Sequence, residues 1–105
     1  STIEHNAIKG WKRHKEMVLN LIVPIGSVRF ILYDDRKNQI NKFQEVVLSL
    51  KSGYARLTVP PMIWVGFQGL DKHPSIVLNI ASIEHSSEEI DQKELDEIKF
   101  NWRKS

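Results

Sequence analysis

The chain contains no cysteine, so it has no disulfide framework, no thiolate metal site and no cysteine nucleophile. Its four histidines, His5, His14, His73 and His85, stand alone, and none forms His-x-His or His-x-x-x-His. No metal site is therefore written locally, and no metal or cofactor is expected. Glycine is scarce, at five residues, and neither a glycine-rich phosphate loop nor a Gly-x-Ser-x-Gly element occurs. No apolar run approaches the roughly 18 residues of a membrane span, and residues 1–6 carry no signal-peptide pattern. A cytoplasmic protein without membrane association is the expectation. A long basic block is also missing. Net charge is +2, lysine and arginine are spread along the chain, and Arg103-Lys104 is only a short basic tail. Nucleic-acid binding has no electrostatic support from such a pattern.

What is present is the patterning of a β-domain. The 105 residues suffice for one domain with one modest core. Residues 1–7 are polar and are expected as a flexible arm. Residues 8–15, Ile-Lys-Gly-Trp-Lys-Arg-His-Lys, crowd four cations and His14 around Trp11. Two readings stay open: a solvated cationic strand, or an anion-binding rim in which Lys and Arg meet phosphate and Trp11 offers a stacking face. Residues 17–23 and 28–33 are apolar runs of strand length, and the break at Gly26 predicts a hairpin between them. Asn20, in the first run, is either a satisfied core amide or a pocket residue. Residues 34–39 form a polar loop in which Asp and Arg pair locally.

Further strands are predicted at residues 43–50, 55–59, 63–69 and 75–83. Pro60 and Pro61 cannot donate to a ladder, so they set a rigid turn between two of these. In the last strand both faces read as buried. Ser86 and Glu89 have capping-box spacing, and a helical turn is expected within residues 88–98, with Ile90, Leu95 and Ile98 inward. Six short strands with turn signals between them indicate an all-β sandwich or barrel.

The order of several motifs resembles a known family. Lys9-Gly10-Trp11 with His14, Gly26 through Asp34-Asp35-Arg36, and Val59-Pro60-Pro61-Met62-Ile63-Trp64-Val65-Gly66-Phe67 are similar to elements of the dTDP-4-dehydrorhamnose 3,5-epimerase family and its shorter relatives. That family carries an Arg-Gly-x-His segment, an Asp-x-Arg element closing a strand, and an Ile-Pro-x-Gly-Phe-Ala-His-Gly-Phe turn. The resemblance spans about residues 8–102. It implies a double-stranded β-helix of the cupin or jelly-roll kind, residues 1–105 forming a single domain, with a short C-terminal helical turn. It also implies a homodimer, and proton transfer at carbons beside the ketone of a nucleotide-linked sugar. Such chemistry needs a base with a pKa near working pH and cations beside the developing enolate.

Carried across by position, the resemblance makes His14 the base and His85 a possible proton donor. Lys9, Trp11 and Lys12 would hold the diphosphate, Asn20, Asp34 and Arg36 would be substrate-binding, and Trp64 would line the sugar pocket. The departures are specific. Lys9 stands for the family's arginine, Asn20 lies on the strand that carries a lysine in the family, Val65 replaces the turn histidine, and no tyrosine lies near residues 83–85. Two functions follow as expectations. One is a sugar-nucleotide epimerase or isomerase in polysaccharide sugar synthesis. The alternative is a non-catalytic cupin that binds a nucleotide sugar or acts as an accessory protein.

Overall fold

A computed structural model describes residues 1–36, 43–50, 55–80 and 90–103. The elements run β1 (Thr2–Ile3), β2 (Ile8–His14), β3 (Leu19–Ile25), β4 (Ser27–Tyr33), β5 (Phe43–Ser49), β6 (Leu57–Val59), β7 (Trp64–Gly69), β8 (Ser75–Asn79) and β9 (Ile90–Gln92), then a 3-10 turn at Leu95–Glu97. They build two sheets, one ordered β1-β8-β3-β6 and the other β5-β4-β7-β2-β9. Every ladder between these strands is antiparallel. The architecture is an all-β cupin-type sandwich. Among the described residues no helix is long and apolar enough to cross a membrane.

Alternation puts every second side chain between the sheets. Leu19, Leu21 and Val23 of β3 face Val28, Phe30 and Leu32 of β4 across the core, joined by Val65 of β7 and Val77 of β8. Burying each large apolar side chain contributes on the order of 2 kcal/mol. A second apolar cluster lies on the opposite face of the larger sheet, where Trp11, Ile31, Trp64 and Ile98 pack with Tyr33, Phe100 and Trp102. The C-terminal segment thus covers the outside of that sheet. Arg29 fastens it, donating to the Trp102 carbonyl at 3.0 Å and to Gln68 at 3.2 Å, and pairing with Glu45.

Four expectations change. Residues 1–7 are tied down, because β1 pairs with β8 and Ile3 is buried in the core. The Gly26 break is no hairpin: β3 and β4 lie in different sheets, and Gly26, at φ 90°, turns the corner between them. There the backbone passes so close to Ser75 that a Cβ would sit 2.1 Å from its Oγ. The strand of residues 75–83 buries only one face, since Leu78 is 44% and Ile80 55% exposed; its last three residues lie outside the described ones. Residues 90–92 are strand β9 paired to β2, so the helical turn shrinks to Leu95–Glu97. Its reciprocal cap is formed by Glu94 and Glu97, while Ser86 and Glu89 lie outside the described residues.

Candidate functional site

The register of β2 against β7 decides what faces the interior. Lys9 pairs with Phe67 and Lys12 with Val65, so β2 uses three residue steps where β7 uses two. The extra residue is a bulge at Gly10-Trp11. In a regular strand, positions 9 and 12 point to opposite faces. The bulge resets the alternation, so Lys9, Lys12 and His14 all share the inner face. Trp11 and Arg13 go to the outer face.

Those three side chains line a cavity of about 690 Å³ between the sheets. Its floor is apolar, made by Leu19, Leu21, Phe30, Val65, Phe67 and Val77. Asn79, Glu94 and Leu95 complete the rim. Lys9 is anchored there, its ammonium donating to the Thr2 carbonyl at 2.6 Å and the Ser1 hydroxyl at 3.4 Å. The Asn79 amide is also engaged: its oxygen accepts from the Asn20 backbone at 3.1 Å, and its nitrogen lies 3.9 Å from the Met17 sulfur. An apolar floor under a cationic rim suits a ligand with an anionic part and a less polar part.

The other expected binding residues sit elsewhere. Trp11 is 0% and Trp64 2% exposed, both in the outer cluster, so neither offers a stacking face to a ligand. The bulge explains Trp11, and pairing of Trp64 with outward-facing Arg13 explains Trp64. Asn20 lies on the outer face of its sheet, donating to the Ile80 carbonyl at 3.3 Å and accepting from the Thr58 hydroxyl at 3.0 Å. Asp34 and Arg36 bond to each other, at 2.6 Å in the shortest contact, and do not line the cavity. The side-chain bond from Arg36 holds the Asp34 carboxyl below its ordinary pKa. His85 lies outside the described residues.

Sequence reasoning missed the outer network. Arg13 donates to Asp91 through Nε at 3.1 Å and Nη2 at 2.7 Å, reaches Asp35 at 3.4 Å, and stacks over Trp64 at 4.6 Å. Trp64 Nε1 donates to the same Asp35 oxygen at 3.0 Å. Hydrogen bonding from Arg13, with Lys15 nearby, holds the Asp91 carboxyl below its ordinary pKa. The partners come from β2, β7, β9 and the segment after β4, so only the assembled sheet brings them together.

No protein-family model matches the sequence, and no curated protein does. Solved structures match over most or all of the chain. The chain is similar to a dTDP sugar isomerase from Desulfovibrio desulfuricans G20, at 29% identity and a TM-score of 0.89, covering 100% of this chain and 69% of that one. The chain has a cupin-type fold, similar to that of these sugar-nucleotide enzymes. The cupin is also similar in fold to the dTDP-4-dehydrorhamnose 3,5-epimerase of Elizabethkingia anophelis NUHP1, at 16% identity and a TM-score of 0.78, covering 98% of this chain. It spans 59% of that epimerase's length. A sugar 3,4-ketoisomerase from Thermoanaerobacterium thermosaccharolyticum, solved in complex with TDP, shares the fold at 18% identity and a TM-score of 0.70, covering 89% of the cupin and 64% of that chain.

Proposed function

We propose that this cupin is a sugar-nucleotide epimerase or isomerase that acts on a dTDP-4-keto-6-deoxy sugar, taking a proton from a carbon beside the ketone. The observation that carries the reading is the β2 bulge, which gathers Lys9, Lys12 and His14 on one cavity of about 690 Å³. That volume is in the range that holds a small-molecule ligand. His14 is the base that takes the proton. The lysines draw the nucleotide diphosphate to the rim. His85 is kept as a proton donor in this reading. The place is cytoplasmic polysaccharide sugar synthesis.

The test is deuterium uptake from heavy water into a dTDP-4-keto-6-deoxy sugar, followed by mass. Uptake is expected with the wild-type protein, and His14→Ala should lower its rate about 10²- to 10⁴-fold. Equal rates for the two proteins would remove His14 from the mechanism.

A second reading is supported by Val65, an apolar side chain on the cavity at the family's turn-histidine position. In it the cupin binds the nucleotide sugar without turning it over. Ligand-dependent thermal stabilisation with no deuterium uptake would select this reading.

We also infer a homodimer that uses the outer face of the four-stranded sheet. Its strand positions there, including Asn20, Ile22, Pro24, Thr58, Ile76 and Leu78, carry no charge, in a chain that is 27% charged. A neutral apolar face that opposes its own copy has no like charges to desolvate.

A further inference from the structure

We propose that the outer face of the five-stranded sheet carries a second ligand site, which takes a neutral sugar ring on a preset pair of donor and acceptor groups. The site is a groove of about 640 Å³ lined by Asn6, Arg29, Glu45, Gln68 and Trp102. That volume has room for a small-molecule ligand. Phe30 and Phe67 pack into the core, so alternation sends their neighbours Arg29 and Gln68 to the opposite face. The groove is therefore on the other side of the sheet from Lys9, Lys12 and His14.

Strand register builds it. Arg29 of β4 stands between Gln68 of β7 and Val47 of β5, with Glu45 two positions along β5 on the same face. The Arg29 side chain is only 8% exposed. Its guanidinium donates to Glu45, to the Gln68 Oε1 at 3.2 Å and to the Trp102 carbonyl at 3.0 Å. With its donors committed in this way, Arg29 orients its neighbours instead of capturing an anion. A guanidinium only donates, so the Gln68 amide must turn its oxygen to Arg29 and leaves its NH2 for a ligand. Glu45 gives one oxygen to Arg29 and keeps the other, on a side chain that is 48% exposed. Asn6, also exposed, adds a further amide to the rim.

This chemistry selects the ligand class. The charges of Arg29 and Glu45 offset each other, and the groove offers amide donors beside a carboxylate acceptor. A hydroxyl both donates and accepts, so adjacent hydroxyls on one ring satisfy both kinds of group. A phosphate or carboxylate only accepts, and would meet the Glu45 carboxylate. Val47 at 45% and Leu70 at 37% exposure supply apolar walls, which suit the C–H faces of a sugar ring. The site depends neither on the proton-transfer reading nor on the dimer inferred above, which uses the other sheet.

The test titrates the protein with three neutral oligosaccharides, maltotriose, cellotriose and mannotriose, and with glucuronate, following side-chain amide and indole N–H signals by NMR. At least one neutral sugar should give saturable shifts at Gln68, Asn6 and Trp102, with the same affinity when TDP is present. Glucuronate should leave those signals in place. Gln68→Met and Asn6→Gly should each weaken sugar binding about 3- to 10-fold, the loss of one hydrogen bond. Asn6→Gly keeps the left-handed backbone at φ 61° and leaves the Arg29 bonds intact, so it decides the matter if Gln68→Met fails to fold. Any one of four results would overturn the proposal: no saturable shift with any of the three sugars, displacement of the sugar by TDP, binding of glucuronate as tight as that of the neutral sugars, or wild-type affinity in Asn6→Gly.

Discussion

Gly66 carries its weight by lacking a side chain. It lies on the outer face of β7 between Trp64 and Gln68, and a Cβ there would meet Trp102 Cζ2 at 2.9 Å and Trp11 Cζ3 at 3.0 Å. Both indoles are wedged, Trp11 against the Leu95 carbonyl at 3.4 Å through its Nε1 and Trp102 edge-on to Phe100. Gly66→Ala is expected to destabilise the fold by about 1–3 kcal/mol, as overpacking does. Urea unfolding checks this, and a midpoint equal to wild type would show that the two indoles move aside freely. The same residue shows what the sequence hides. The run from Trp64 to Phe67 reads as a strand, but period 2 does not say which set faces inward. The family resemblance put Trp64 on the sugar pocket; in the fold its neighbour Val65 has that place.

At the scale of elements, β2 holds the molecule's two working faces together. Its bulge sends lysines and His14 inward, and its Arg13 outward to Asp91, directly across the β2–β9 ladder. The pairing lowers the folded-state pKa of Asp91 below its unfolded value. Its stabilising contribution is therefore fully present above the unfolded carboxylate range and is lost as pH falls through the folded value. The melting temperature should drop as pH is lowered below about 4, and Asp91→Asn should flatten that part of the curve. A parallel decline in both proteins would show that the Arg13–Asp91 joint adds nothing to the pH response. This joint was illegible in the sequence because β9 was read as part of a helical turn. Ile90, Leu95 and Ile98 fit a helix only loosely, and pairing with β2 outweighs that weak local preference.

At the scale of the whole molecule, the uncharged outer face of the four-stranded sheet sets the expected assembly. Stable interfaces bury about 800 Å² per partner, and this face offers Leu78 at 44% and Ile80 at 55% exposure near its centre and end. Sedimentation should give a dimer for the wild type and a monomer for Leu78→Glu, which places a charge against its own copy. A variant that sediments as the wild type would move the interface elsewhere.

The sequence by itself determined the all-β class, the positions of most strands, the rigid Pro60-Pro61 turn and the family resemblance. Each of these is local: alternation, proline geometry and short motifs are properties of neighbouring residues. It also singled out Lys9, Lys12 and His14, since cations crowded on one strand are visible without a fold. Only the tertiary structure decided which side of each strand is inside. It made Gly26 a corner between sheets, buried Trp11 and Trp64, turned Asn20 outward, and left Asp34 and Arg36 bonded to each other away from the cavity. The physical reason is that alternation is symmetric between the two faces of a strand. A single extra residue inverts it, and the bulge in β2 exists only relative to the partner strand β7, more than fifty residues along the chain.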